Sequence, residues 1–477
     1  MKKILYTIAM LLVLTACNDF LNIKPKGFAI PSKTEDYEKL LADIYFTASV
    51  EPLYLTDDVK LIDKTSSASY YVFINQSDAI KNIYSFQGGQ LYPNGSKDYL
   101  WNDAYSRIFT YNTVINGVKE AKDGSEMQRN RIKSEALIGR ALEYFYLVNV
   151  YGAQFDSASA SSDYGVPYIT EGDINYVYER ASVQNVYENI LADIDEAMPN
   201  LASAVSFSTH PTVAAGQGLK AKVLLQMGNY SEALKCANAS LSAKSDLLNL
   251  NEWEKREGVT WGRVHYKGDP SHRLPDVDHP ESVYFRIADG YLRGCAMAGE
   301  TLRQTFKEDL PATAKDLRKE YYFSEDMANL GSTPTYFPGE CAYVNYVDEN
   351  GGVTTPEVLL IAAECEARVG SYQKAVALIN TLRDNRIENN VALLASNKDD
   401  ALALVLRERR RELSMKGLYR YMDLKRLNKE SAFAVTVSHS ADGQTWTLAP
   451  NDLKWIFPVN QEILDFRPEL PQYQRNL

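Results

Sequence analysis

Two segments of this chain are copies of one unit, and they constrain its fold more than any other feature. Ala214 to Leu241 contains Gly228-Asn229-Tyr230-Ser231-Glu232-Ala233, and Pro356 to Arg383 contains Gly370-Ser371-Tyr372-Gln373-Lys374-Ala375. Each reads as a helix, a Gly-x-Tyr turn and a second helix with Ala three residues after the Tyr. Glycine permits the tight turn, and the small alanine lets two helix backbones approach closely. A helix pair of this kind cannot bury its apolar face alone and needs neighbours stacked against it. The copies start their turns 142 residues apart, so they are not adjacent tandem repeats.

The pattern is that of tetratricopeptide-type hairpins, and helical periodicity continues around it. Trp101 to Val118 places Tyr105, Ile108, Tyr111 and Ile115 on one face. Arg131 to Tyr151 does the same with Ile132, Ala136, Ala141, Tyr144, Phe145 and Val148, and Gly152 follows where a C′ glycine belongs. Ser182 reads as the N-cap of a helix carrying Val186, Ile190, Ile194 and Met198. The expected fold is therefore mainly α, with tetratricopeptide-type hairpins in a right-handed superhelical scaffold. Pro52 to Asp98 and Ala243 to Thr355 interrupt it as long irregular excursions with short strand-like runs at Tyr70–Ile74 and Val283–Ile287. Such long loops are usually functional. They hold Tyr54, Tyr70, Tyr71, Tyr84, Tyr92, Tyr99, Trp253, Trp261, Tyr266, Tyr291, Tyr336 and Tyr343, aromatics read here as exposed.

The N-terminus reads as an export signal. Lys2 and Lys3 precede an apolar run from Ile4 to Leu14, then Leu14-Thr15-Ala16-Cys17. The run is shorter than the roughly 20 apolar residues a spanning helix needs. Leu-x-Ala before a cysteine is the lipobox pattern, so cleavage after residue 16 and lipidation of Cys17 are expected. Asn18, not Asp, follows the cysteine, which favours the outer membrane. Residues 17–477 read as a single domain, with parts at 17–242, 243–355 (the loop-rich insert) and 356–477.

The whole chain has 51 Lys and Arg; less Lys2 and Lys3, 49 face 62 Asp and Glu, a formal net charge of −13. Nucleic acid is excluded as a partner, because phosphate contacts need clustered Lys and Arg. Cys236 and Cys365 fall on apolar helical faces as buried thiols, and the spacing of Cys236, Cys295, Cys341 and Cys365 requires no disulfide. Arg407 to Glu412 reads as a structural ion-pair network, with Glu408 and Glu412 four residues apart and arginines flanking them. His265, His272 and His279 recur every seven residues, but Pro270, Pro275 and Pro280 forbid the helix that would align them, so no metal site is expected. Asp348-Glu349-Asn350-Gly351 fails as a calcium loop, since Leu359 stands where the bidentate Glu belongs. No GxSxG, HExxH or phosphate-cradling glycine loop is present, and no carboxylate pair is singled out for glycoside cleavage. Neither cofactor nor catalysis is expected.

Several stretches together resemble the SusD/RagB family. They are Cys17-Asn18-Asp19-Phe20-Leu21 through Pro25; Glu135 to Ala141 with Tyr144-Phe145 and Val150-Tyr151-Gly152; and Gly165-Val166-Pro167-Tyr168. The most specific are Arg407 to Leu413 and Tyr419 to Arg426, followed by Phe457 to Ile463. The tail departs from the family pattern at Arg467-Pro468 and Gln472-Tyr473-Gln474. The resemblance implies a lipid-anchored protein of the outer-membrane cell surface in Bacteroidetes, paired with a SusC-like TonB-dependent transporter. It implies capture of oligosaccharides or, in some members, peptides, on the helical base and its loops.

Pyranose rings present C–H faces that pack on aromatic rings, while polar side chains bind the hydroxyls. On that chemistry Tyr70, Tyr71, Tyr84, Trp253, Trp261 and Tyr291 are the candidate ligand contacts, each alternatively a packing residue. Trp101 and Asn102 open a helix and can equally be core. The expected function is non-catalytic oligosaccharide capture for a transporter. Peptide or other nutrient binding on the same scaffold is the alternative, and a surface glycoside hydrolase the lesser one.

Overall fold

A computed structural model describes residues 31–43, 45–46, 50–63, 71–171, 178–255, 264–272, 279–288, 296–329, 334–343 and 349–475. Its long helices are α1 (Tyr99–Gly117), α2 (Glu126–Tyr151), α3 (Val183–Ala197), α4 (Val213–Gln226), α5 (Tyr230–Ala243), α6 (Thr355–Val369), α7 (Tyr372–Asp384), α8 (Lys398–Glu412) and α9 (Tyr419–Leu427). Each of the first eight starts at a side-chain cap. Asp98, Ser125, Ser182, Thr212, Asn229, Thr354, Ser371 and Asn397 all accept a hydrogen bond from a first-turn backbone N–H.

Helices consecutive in the chain pack side by side from α1 to α5, as antiparallel hairpins do. The stack then skips the whole loop-rich insert: α5 packs directly on α6. The two hairpin copies, distant in the chain, are neighbours in space. Arg368 of α6 lies over the ring of Tyr230, its guanidinium carbon 4.6 Å from the ring centre. Ala233 and Ala375 are fully buried, as their turn spacing requires. The two turn glycines serve different ends. Gly228 sits at φ +75°, where only glycine rests without strain. Gly370 does not; there an added Cβ would lie 2.0 Å from the Glu366 carboxylate that accepts the Ser371 N–H.

The fold is mainly α, as the periodicity predicts, with two corrections. Gly152 ends α2 in extended backbone at φ −105°, not as a left-handed cap. And α2 has no single apolar face: every residue from Ser134 to Tyr151 is buried. It is the central helix of the molecule, covered on all sides.

The arginine-rich signature is structural and deeply buried. Glu408 is wholly enclosed and binds Arg318 at 2.7 Å, Arg411 at 2.8 Å and Arg383 at 3.2 Å. Glu412 takes Arg318 and Arg386, and Arg386 reaches on to Glu281 at 2.6 Å. Burial opposes ionisation of Glu408, but the three guanidiniums outweigh it and hold the carboxyl below its usual range.

The two irregular excursions form joint structure. Strand β1 (Val59–Lys60) from the first pairs with β4 (Met297–Ala298) from the second, and β4 pairs with β6 (Pro334–Tyr343), which pairs with β5 (Phe323–Asn329). The layer is fastened to the helices by Asp57 and Asp58, which bind Arg410 of α8 and Arg420 of α9. The remaining pair used below is the hairpin of β2 (Trp253–Lys255) and β3 (Val264–Tyr266).

Glu408→Gln removes one buried charge and leaves three arginines facing it. Breaking a buried ion pair costs about 3–5 kcal/mol. The urea midpoint followed by far-ultraviolet circular dichroism is expected to fall accordingly, and an unchanged midpoint would contradict the network.

Candidate ligand-binding site

The loop aromatics nominated from sequence divide sharply. Tyr70, Trp261 and Tyr291 lie outside the described residues, as does Cys17. Tyr71, Tyr84 and Trp253 are 1 %, 1 % and 4 % exposed, so they are core residues and not surface platforms. Tyr71 packs edge-on to Phe337 of β6 at 5.3 Å. The Tyr84 ring stacks on His439 at 4.0 Å, and its hydroxyl accepts the Leu61 N–H at 3.1 Å. Tyr54, Tyr92, Tyr343 and Trp101 are buried too. Tyr99, Tyr266 and Tyr336 are the members of the set that reach solvent among the described residues.

Tyr266 is the one built into a cluster of rings. It ends β3, stacked on His272 with ring centres 5.4 Å apart and planes 22° from parallel. Trp253 stands edge-on to both, at 5.9 Å from Tyr266 and 5.5 Å from His272. Both outer rings are exposed, while Trp253 is anchored below among Leu248, Leu250, Val264, Leu317 and Tyr321. The Tyr321 hydroxyl donates to the Trp253 carbonyl at 2.6 Å and holds the strand down.

A tight return of the chain creates the stack. Gly268 takes φ +80°, Asp269 N–H donates to the Tyr266 carbonyl and Tyr266 N–H to the His272 carbonyl. The Asp269 carboxylate accepts both the N–H and the hydroxyl of Ser271, at 3.0 and 2.6 Å. Gly-Asp-Pro-Ser between Tyr266 and His272 is a legible turn signal. It was the clue that these two rings meet, and a reading by residue type alone passes over it. Chemically the cluster offers flat aromatic surface beside exposed hydrogen-bonding groups, the pairing that suits a sugar ring.

The three histidines do not converge. His265 is buried and faces Glu254 at 3.2 Å, His272 stacks on Tyr266, and the His279 Nδ1 accepts the Glu281 N–H. No group of three metal-ligating side chains occurs among the described residues. Asn350, in the failed calcium loop, accepts the N–H groups of Arg286 and Gly352 and so shapes a turn. Cys236, Cys341 and Cys365 are buried free thiols.

One other titratable cluster sits in the first excursion. Asp98 is fully buried, caps α1 and accepts the Tyr151 hydroxyl at 2.6 Å. Tyr92 donates to Glu51. Burial, with repulsion from Glu51 behind the offsetting Tyr151 hydrogen bond, pushes the Asp98 carboxyl up to about 7.

A stacked helical scaffold with a loop-built aromatic cluster defines a binding protein. The comparisons agree. Residues 19–225 match a SusD-like family model described as starch-binding associating with outer membrane, and residues 355–474 match the SusD family model. The chain belongs to the SusD/RagB family. No curated protein matches it. Similar solved structures include a SusD superfamily protein from Bacteroides thetaiotaomicron, at 19% identity and TM-score 0.67, covering 92% of this chain and 99% of that one. A putative sugar binding protein from Bacteroides vulgatus matches at 19% identity and TM-score 0.64, over 93% and 99%. A SusD-like carbohydrate binding protein from the same species matches at 17% identity and TM-score 0.64, over 93% and 98%. At such identities the likeness speaks for the fold. No described helix is long and apolar enough to cross a membrane.

Asp98 predicts a pH effect with a definite sign. Its folded pKa, about 7, stands above the roughly 3.9 of an unfolded aspartate. Between those values the folded chain keeps a proton that the unfolded chain has lost, so this group's contribution to stability falls as pH rises from about 4 to about 7. Asp98→Asn is expected to remove that part of the slope in urea midpoints measured across the range. An identical slope in the variant would contradict the assignment.

Proposed function

We propose that this protein is a non-catalytic, lipid-anchored protein of the outer-membrane cell surface that captures oligosaccharide and passes it to a SusC-like TonB-dependent transporter. The observation that carries the ligand class is the Tyr266–His272 stack, exposed on a hairpin and supported from beneath by Trp253. A sugar ring laid on Tyr266 gains apolar contact over its C–H face, while Asp269 and Lys267 lie close in the chain to meet hydroxyls. The names of the solved relatives, a putative sugar binding protein and a SusD-like carbohydrate binding protein, favour the same class. Trp253, first nominated as a contact, acts in this reading as the support of the contact. Trp261, in the connection between β2 and β3, stays a candidate, as do Tyr70 and Tyr291.

The anchor belongs to the same proposal. Lipid on Cys17 keeps the binding scaffold beside its transporter, and more than one acyl chain makes such attachment firm. The transporter supplies the passage that a helical scaffold of this kind lacks.

A glycan and peptide array followed by calorimetry separates the ligand classes. Tyr266→Ala is expected to weaken oligosaccharide binding about tenfold or more, a loss of at least about 1.4 kcal/mol. As an exposed substitution it should change stability by no more than about 0.5 kcal/mol. Trp253→Ala removes a buried ring and should lower stability by about 3–5 kcal/mol besides. Peptide binding without glycan binding would replace the ligand class, and release of any cleaved glycan would overturn the non-catalytic reading. Separately, Cys17→Ser is expected to abolish palmitate labelling and release the protein from membranes; unchanged labelling would refute the anchor.

A further inference from the structure

A second site, lined by none of the hairpin's residues, joins an aromatic wall to two carboxylates. It is a pocket of about 190 Å³ between the segment after α2, the end of α9, the segment 451–456 and Tyr473 of the tail. A cavity of roughly 150 Å³ takes one benzene ring, so this one is sized for a single six-membered sugar ring.

Hydrogen bonds hold its frame. Lys425 of α9 donates to the carbonyls of Asn149 and, at 2.9 Å, Gly152, and so ties the end of α9 to the end of α2. The Tyr473 hydroxyl accepts the Ala153 N–H at 3.3 Å and donates to the Tyr164 carbonyl at 2.9 Å. The rings of Tyr473 and Tyr164 meet edge-on, with centres 5.6 Å apart. Arg180 lies over both, its guanidinium carbon 5.7 Å from the Tyr164 centre and 5.6 Å from that of Tyr473. Its nitrogens donate to the carbonyls of Tyr151, Gly165 and Pro471, which fixes the cation against the two rings. Tyr164 is 40 % exposed, so the aromatic surface continues from Tyr473 out to solvent.

Asp163 and Asp452 line the pocket, both half-buried, and neither has an ion-pair partner among the described residues. Each is half-engaged. One Asp163 oxygen accepts the Ser159 hydroxyl at 2.6 Å, and one Asp452 oxygen accepts the Lys454 N–H at 2.8 Å. The other oxygen of each accepts nothing from the described residues, and neither is sealed from solvent. Asp163 also lies close enough to Tyr473 to add to the effect of burial, which pushes that hydroxyl up to about 12. At the rim, Asn451 is exposed, and Lys429 pairs with Asp156 at 3.4 Å. An exposed pair of that kind is worth little and leaves the ammonium open to other partners. Two unpaired carboxylates oppose an anionic ligand, and Lys429 opposes a cationic one. What suits the lining is a neutral molecule with many hydroxyls and an apolar face.

We propose that this pocket receives one neutral pyranose unit, its hydroxyls donating to Asp163 and Asp452 and its C–H face set against Tyr473. Hydrogen bonds to an ionised acceptor are roughly twice as strong as those between neutral groups, so two carboxylates select for hydroxyl donors. A pocket that holds one ring takes a saccharide chain by its end, whereas an open stack such as Tyr266–His272 can meet a ring anywhere along the chain. The inference rests on the oligosaccharide reading for its ligand class, and on separate residues for its site.

Calorimetry on the full chain carrying Tyr266→Ala reads this pocket with the hairpin site disabled. The probes are the methyl glycosides of glucose, galactose, mannose and xylose, with glucuronate and calcium chloride beside them. At least one neutral glycoside is expected to bind, and to bind more tightly than glucuronate. Adding Asp163→Leu should weaken that binding about tenfold or more. Ser159→Trp is the second variant; it fills the pocket, leaves Asp452 in place and is expected to abolish binding. Both are compared at unchanged far-ultraviolet circular dichroism. If no neutral glycoside binds, the proposal is overturned, while oligosaccharide binding by the unaltered chain would still uphold the hairpin reading. If Tyr266→Ala leaves oligosaccharide binding intact and the pocket variants remove it, the pocket stands and the hairpin reading falls. Binding that persists in both pocket variants, or heat from calcium or glucuronate alone, would also overturn the proposal.

Discussion

Glu408, a carboxylate with no exposed surface, is the point on which the packing of this protein depends. It faces guanidiniums from three separate segments, Arg318, Arg383 and Arg411, and Glu412 one turn later repeats the arrangement with Arg318 and Arg386. Such groups gain little net stability over an apolar core, because each charge must leave water. What they do impose is geometry. A guanidinium buried out of register is an unpaired charge, so segments distant in the chain have one permitted arrangement. The insert enters through Arg318 and through Glu281, which binds Arg386, and the second hairpin copy through Arg383.

The same helix distributes this control outward. Successive residues turn about 100° around an α-helix, so adjacent arginines of α8 leave in different directions. Arg407 binds Asp309, Arg409 binds Asp423 of α9, and Arg410 binds Asp57 and Asp58 of the first excursion. Asp57 stays ionised because Arg420 and Arg410 outweigh the penalty of its burial. A run that looks like a basic patch in one dimension is a hub in three.

Tyrosine fastens what the arginines position. The chain holds 32, and many clip loops to helices through their hydroxyls. Tyr105 donates to the Pro167 carbonyl, Tyr144 to that of Ile169, Tyr421 to that of Trp455 and Tyr321 to that of Trp253. A ring that buries apolar area while its tip satisfies a backbone carbonyl is suited to loops that would otherwise leave polar groups unpaired. This is why most of the described aromatics nominated from the two excursions proved to be interior, and why Tyr266, lodged on a short hairpin, stands out.

The local rules were legible in the chain itself. The hairpin turns at Gly228 and Gly370, the cap at Ser182, the helices ending at Gly117 and Tyr151 and the ion-pair character of Arg407 to Glu412 follow from spacing and residue type, which act over a few residues. Family membership was legible for the same reason, since its motifs are local strings. Three things only the tertiary structure decided. The two hairpin copies touch because α5 packs on α6 across an insert whose length carries no information about contact. Tyr71, Tyr84 and Trp253 are buried because segments far away cover them, and an aromatic residue in a loop has the same letter on either side of a surface. The pairing of Tyr266 with His272, and of Lys425 with the end of α2, arises where chain returns and helix ends meet, which residue identity constrains but does not locate.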